Sequence, residues 1–129
     1  MSTLSVSNIT DGTDTVETGY VLNGSAKVWV NFTGSTTTIN SSLNVASLID
    51  HGTGDFTVNI SNAFSSGSSL SATYGGNPTS GSARNFSCGP LWTRTTTASA
   101  ISWAMEDSNG ASTDNSTYGN HMTVVGDLA

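Results

Sequence analysis

Alternation of apolar and polar residues, repeated along the chain, is the feature that most limits how this sequence can fold. Apolar side chains fall at alternate positions in three runs, Ser25–Thr33, Asp55–Phe64 and Ser99–Glu106. A period of two places such side chains on one face of a β-strand, whereas an α-helix would scatter them around its circumference. The three runs therefore predict strands with one buried face.

Shorter or less regular runs fill the intervals between these strands. They are Leu4–Ile9, Val16–Leu22, Ile39–Ile49, Leu70–Tyr74, Asn85–Cys88, Leu91–Thr97 and His121–Val125, and Gly, Asn and Asp turn residues separate them. We predict an all-β fold of about eight to ten short strands, arranged as an antiparallel β-sandwich or a jelly-roll-like structure. The clearest local unit is Asn44–Ile60, which predicts a β-hairpin with a loop of about four or five residues at His51–Gly54.

The length and composition are typical of one folded domain. The 129 residues are enough for a single hydrophobic core, and we predict one domain over residues 1–129, with residues 1–12 as an arm for attachment or subunit contacts. About a third of the chain is Ser or Thr, and only 9% is charged. Disordered chains of low hydrophobicity usually carry more charge and lack periodic apolar runs, so this sequence favours a folded domain.

The charge balance limits the partners of the chain. The formal net charge is −6, and Lys27, Arg84 and Arg94 are scattered. Nucleic acids and anionic membranes attract clustered Lys and Arg, so we expect neither partner. No apolar stretch is long enough to predict membrane insertion or a signal peptide, and we expect synthesis in a cytoplasm.

The sequence shows no constellation typical of an enzyme or a cofactor site. His51 and His121 are the only histidines, and both lie in segments rich in turn residues. Residues 11–14 and 107–110 partly match a calcium loop but lack its full spacing and closing Glu, which favours ordinary turns. We predict no catalytic residue, no cofactor and no metal site.

The aromatic residues are the candidates for a functional surface. Trp103 shares the apolar face of its strand and is expected in the core, whereas Trp29 lies on the polar face of its strand. Trp92 lies in a Thr-rich run, and Tyr118 lies in the long polar segment Glu106–Asn120, which predicts a surface loop. Trp29, Trp92 and Tyr118 are therefore candidates for a subunit interface or a ligand platform, and for the tryptophans an interface or the core is favoured over a ligand platform.

Part of the chain resembles a family of predicted tail-fibre and other structural proteins of marine bacteriophages. The matching segments, in order, are Gly24–Phe32, Ser42–Val45, Gly52–Asp55 and Phe56–Asn59, with weaker similarity at both ends. Leu43 replaces the usual aromatic residue, and residues 65–97 depart freely from the family pattern. The resemblance implies a virion appendage or surface protein that forms a homotrimer, and it supplies no binding residues.

Three functions follow as hypotheses from these observations. The first is a tail-fibre-type or other surface appendage subunit of a bacteriophage, which contacts other virion proteins and a host surface glycan or outer-membrane receptor. The second is a capsid decoration or cement protein that stabilises the head. A carbohydrate-binding module or a glycan depolymerase is a weaker alternative, because a depolymerase needs paired carboxylates in a cleft.

Overall fold

In a computed structural model of the protein, β-strands dominate the chain. The structure describes residues 4–76, 87–89, 96–106, 111–112, 114 and 119–129. Within these ranges the elements are β1 (Asn8–Thr10), β2 (Thr15–Glu17), α1 (Thr18–Gly24), β3 (Ala26–Thr33), a 3-10 turn (Gly34–Thr36), β4 (Thr38–Leu43), β5 (Val45–Gly52), β6 (Asp55–Ile60), β7 (Leu70–Gly76), β8 (Ser87–Gly89), β9 (Ala100–Glu106) and β10 (Asn120–Gly126). The prediction of an all-β fold with short strands is confirmed.

All strand pairs among the described residues are antiparallel, and they form three sheets. The first sheet has the order β4-β3-β10-β7, and the second has the order β5-β6-β9-β8. The strands β1 and β2 form a separate hairpin. Neighbours such as β3 and β10 are far apart in sequence, so most of the pairing is non-local.

The first and second sheets contribute to one hydrophobic core. Its buried side chains are Val28, Val30, Phe32, Phe56, Val58, Ile60, Phe64, Ile101, Trp103, Met105, Met122 and Val124. The ring of Phe32, in the first sheet, meets Phe56 and Trp103 of the second sheet edge to face, at centroid distances of 5.1 Å and 5.0 Å. Edge-to-face packing suits the charge distribution of aromatic rings and adds to the gain from burial. The predicted burial of Trp103 is confirmed.

Two polar residues on the other face of the second sheet are also buried, against the simple alternation. Thr57 is 8% exposed and Ser102 is 3% exposed. Their hydroxyl oxygens lie 3.4 Å apart, and His51 Nε2 lies 3.0 Å from the Thr57 hydroxyl. These side chains are buried at little cost because they satisfy one another's hydrogen bonds.

The chain passes from the first sheet to the second at Asn44. This residue has a positive φ of 57° and separates β4 from β5, so the predicted run Ile39–Ile49 is two strands in two sheets. The Asn44 amide holds the turn, since Asn62 N donates to its Oδ1 at 2.7 Å and its Nδ2 donates to Asn62 O at 3.1 Å. Asn tolerates left-handed backbone better than most residues, which explains its position here.

Two local predictions were wrong. The run Val16–Leu22 is not one strand: β2 ends at Glu17, and α1 follows. Its apolar residues include three in succession at 20–22, so no single strand face could collect them. The hairpin loop is also shorter than predicted, because β5 continues to Gly52 and leaves two residues before β6, with positive φ at Gly52 and Gly54.

Candidate functional site

The outer face of the first sheet, opposite the core, presents two rows of side chains around Trp29. In one row the register places Leu43, Trp29, Thr123 and Thr73 side by side across the four strands. The next row contains Ser41, Asn31, His121 and Gly75. We call the surface formed by these two rows and Asn40 the Trp29 face. Cross-strand neighbours in one row lie close enough to act on one ligand.

The apolar part of the Trp29 face is small and open. Trp29 is 36% exposed and Leu43 beside it is 47% exposed. On the other side of Trp29 the same row continues with two exposed threonines, at 123 and 73. An indole is therefore accessible between an aliphatic side chain and hydroxyl groups.

A chain of hydrogen bonds fixes the polar part of this surface. Asn40 Nδ2 donates to Asn31 Oδ1 at 2.9 Å and to Thr33 Oγ1 at 3.2 Å. Asn31 Nδ2 lies 3.2 Å from His121 Nδ1. Because the Asn31 oxygen already accepts from Asn40, its amide nitrogen is the donor to His121, which leaves the imidazole proton on Nε2.

Two backbone features place these side chains. The register between β3 and β4 shifts at Asn31/Phe32, so Asn40 is an extra residue in β4, and its side chain joins the outer face. Such bulges re-aim a side chain without breaking the sheet. Gly119 packs directly against the Asn31 amide, and a Cβ at this position would overlap it. The bulge and the glycine together hold Asn31 between Asn40 and His121.

The strands of the first sheet carry almost no charge. None of β3, β4, β7 and β10 contains Asp or Glu, and their only cation is Lys27. Lys27 lies two residues before Trp29 in β3, and its ammonium donates to the Ser25 carbonyl and hydroxyl oxygens at 2.9 Å and 2.6 Å. The four strands thus carry a single charged side chain, that of Lys27, and no carboxylate.

Of the three predicted site residues, the structure describes Trp29 only. Trp92 and Tyr118 lie outside the described residues. Sequence reasoning missed Asn31, Asn40 and His121 as members of the surface. The position of Asn31, two residues after Trp29 in an alternating run, is the signal that could have found it.

A second exposed surface is formed by residues 4–24, which we call the arm. It contains β1, β2 and α1, and none of its residues is buried. Its exposed large side chains are Leu4 (84%), Tyr20 (72%), Leu22 (64%), Ile9 (47%), Val6 (44%), Val21 (42%) and Val16 (39%). Five of them, with Ser5 and Thr18, line an open groove of about 390 Å³. The predicted arm of residues 1–12 overlaps this segment, and its contact with another subunit stays a prediction.

The tip of the β1–β2 hairpin shows how one of the calcium-like segments is used. Asp11 Oδ1 accepts the backbone N–H groups of Thr13 and Asp14 at 2.9 Å and 2.8 Å. These bonds, first from Asp14 and then from Thr13, lower the pKa of Asp11 from its ordinary value of 3.8. The carboxylate thus closes a turn. The described residues include no group of three His, Cys, Asp or Glu side chains that could hold a metal ion, and residues 107–110 lie outside them.

The only histidine–hydroxyl chain found in the described part of the second sheet is a poor arrangement for catalysis. His51 Nε2, the Thr57 hydroxyl and the Ser102 hydroxyl follow one another, but both hydroxyls are more than nine-tenths buried. A nucleophile must reach a substrate carbonyl or phosphorus atom as well as its base. This group therefore serves packing within the sheet.

No family model, curated protein or solved structure matches this chain. Among the described residues, no helix is both long and apolar enough to span a membrane.

Proposed function

We propose that this chain is a structural subunit of a bacteriophage particle, of tail-fibre or other surface-appendage type, that takes part in host attachment. The proposal includes a β-sandwich fold, assembly as a homotrimer, contacts with other virion proteins and a final location in the virion. The family resemblance of residues 24–60 supports the phage setting. The common core of the two four-stranded sheets supports the sandwich.

The observation that carries the proposal is the exposed arm. Seven large apolar side chains between positions 4 and 22 lie open to solvent, while the twelve-residue core is closed. Contiguous apolar surface on a soluble domain marks a contact with another protein, because its exposure costs free energy in proportion to its area. A subunit that completes its surface with neighbouring copies accounts for this arrangement.

The proposal does not include an enzymatic activity. The Thr57 and Ser102 hydroxyls near His51 are buried, so they are closed to a substrate. The described acidic residues are those at 11, 14 and 17 in the arm, those at 50, 55 and 106 on the neighbouring strands β5, β6 and β9, and those at 114 and 127 outside the strands. Assembly and attachment therefore explain the accessible surfaces better than hydrolysis does.

Assembly is tested by the mass of the full chain in solution. Sedimentation equilibrium at micromolar concentration is expected to give three times the mass of one chain. The double variant Leu4→Ser/Leu22→Ser should sediment as a monomer with an unchanged urea midpoint, because both side chains are exposed in one copy. The matched control is Leu43→Ser/Ile49→Ser, whose targets are exposed but lie outside the arm, and it should stay trimeric. A monomeric wild type contradicts the trimer.

The setting is tested on intact particles. Gold-labelled antibody against this chain is expected to decorate the tail appendages of the phage that encodes it. Label on the head alone would replace the appendage role with the capsid decoration role. Absence of label from purified particles would overturn both.

A further inference from the structure

We propose that the Trp29 face binds an uncharged pyranose saccharide, with one sugar ring stacked on the Trp29 indole. The geometry behind the proposal is an exposed indole in the same two rows as a fixed amide–imidazole pair and free hydroxyls. The proposal goes beyond subunit assembly, and it depends on the appendage role only for the biological source of the saccharide, a host surface.

The stacking partner is exposed on an inner strand of the sheet. One face of a pyranose ring presents C–H groups, which are apolar and suit the flat π-surface of an indole. Trp29 is 36% exposed in the middle strand pair of the sheet, with Leu43 and Thr123 directly opposite on either side.

The hydroxyl groups of a sugar need donors and acceptors at fixed positions beside that ring. The hydrogen bonds from Asn40 to Asn31 and from Asn31 to His121 use one oxygen lone pair and one N–H of Asn31. Within the described part of the chain, the Asn40 Oδ1 atom and the His121 Nε2–H group form no hydrogen bond and lie at exposed residues. The Thr123 and Thr73 hydroxyls add two groups that can both donate and accept.

The electrostatics select an uncharged ligand. The four strands carry no carboxylate to bind a cationic ligand, and the one ammonium group, on Lys27, is held by Ser25. In the described strands of this face, an anionic ligand would meet only the Lys27 ammonium, which already donates to Ser25, while the chain as a whole carries a net charge of −6. A neutral polyhydroxyl compound meets neither obstacle.

The same surface is poorly suited to a protein partner. Its apolar side chains are Trp29 and Leu43, and hydroxyls and amides surround them. A stable protein interface buries about 800 Å² on each partner around an apolar centre. Two apolar side chains among polar ones match the footprint of one or two sugar rings, and the arm offers the larger apolar surface.

The test is a titration of the isotope-labelled full chain with three uncharged probes, methyl β-D-glucopyranoside, methyl β-D-galactopyranoside and methyl α-D-mannopyranoside. At least one is expected to shift the Trp29 indole N–H and the His121 ring signals saturably, with a dissociation constant on the order of 1 mM for a single-ring contact. Trp29→Ala should weaken that binding at least tenfold, and Trp29→Phe should retain part of it. Asn31→Ala should weaken glycoside binding, while the Trp29 indole signal should still shift in the same direction as in the wild type.

The matched control is Ile49→Ala, which removes an exposed apolar side chain from the outer face of the second sheet and should bind as the wild type does. Because Trp29 is exposed, an unchanged amide spectrum away from β3 will show that its variants are folded.

Absence of saturable shifts for all three glycosides up to roughly 0.1 M overturns the proposal, as does equal affinity in Trp29→Ala. The proposal is also overturned if the Trp29 signals shift when the protein is diluted and do not shift when a glycoside is added. That result would assign the face to contacts between copies of the chain. None of these readings depends on particle location or on the arm, so the appendage role can fail or stand independently.

Discussion

Replacement of Asn120 by leucine is expected to stabilise the protein, although the residue is completely buried. Asn120 is the first residue of β10, its register partners are Phe32 and Gly76, and its exposure is 0%. Among the residues that the structure describes, neither Oδ1 nor Nδ2 has a hydrogen-bond partner. The side chain thus gave up its bonds to water on folding without receiving others in exchange.

The magnitude follows from the chemistry of that side chain. An unsatisfied buried polar group costs about 1–3 kcal/mol, and a buried leucine side chain gains about 1.5–3 kcal/mol relative to an exposed one. Leucine is close to asparagine in shape, but imperfect packing in a closed core offsets up to about 1.5 kcal/mol. We therefore expect the Asn120→Leu variant to gain about 2 kcal/mol in the free energy of unfolding.

Urea unfolding followed by tryptophan fluorescence measures this effect. With a typical denaturant slope, a gain of about 2 kcal/mol raises the urea midpoint by about 1 M. Asn59→Leu is the matched control, because Asn59 is half-buried and its Nδ2 donates to Ser47 Oγ at 2.9 Å. The control should leave the midpoint unchanged or lower it. A lower midpoint for Asn120→Leu would refute the reasoning and would mean that the Asn120 amide is satisfied in solution, for example by an internal water.

Two further predictions concern turns. Asn44→Ala should lower the free energy of unfolding by about 2–3 kcal/mol in the same urea assay, because it removes both bonds to Asn62 and puts a Cβ without polar atoms at positive φ. Asn44→Gly keeps the backbone conformation, so an equal loss in both variants would assign the whole effect to the hydrogen bonds. Acidification should loosen the β1–β2 turn. Because the pKa of Asp11 is lowered in the folded state, its carboxylate contributes fully to the stability of the turn above the ordinary value of 3.8, and this contribution is lost as the pH falls through the lower folded value. The amide proton signals of residues 13 and 14 should shift in that acidic range and should stay fixed in Asp11→Asn, and a shift in that variant would point to another acid.

The positions of the core strands were predictable because their signal is local. Val28, Val30 and Phe32 alternate in the sequence and are all buried in β3, and Ile101, Trp103 and Met105 repeat this pattern in β9. The alternation was misleading at Thr57 and Ser102, where neighbouring side chains bury the polar face as well. It also carried no information about α1, whose apolar residues pack on no core.

The candidate site was predictable only in part. The face of Trp29 follows from its position between the buried Val28 and Val30. His121 lies ninety positions from Asn31, and the two meet only because β10 pairs with β3. Asn40 reaches the same surface through a shift in register that no pattern in β4 predicts.

The sequence by itself determined the positions of the core strands β3, β6 and β9 and which face of each is apolar, because a period of two fixes side-chain direction within a single strand. The tertiary structure alone decided which strands are neighbours, since alternation leaves the backbone hydrogen-bonding partner open. The strand order β4-β3-β10-β7 surrounded Trp29 with threonines, an amide and an imidazole, and the closed core excluded the apolar side chains of the arm. The Trp29 face is a consequence of that pairing between residues far apart in the chain, whereas the arm contains a separate hairpin formed by neighbouring strands.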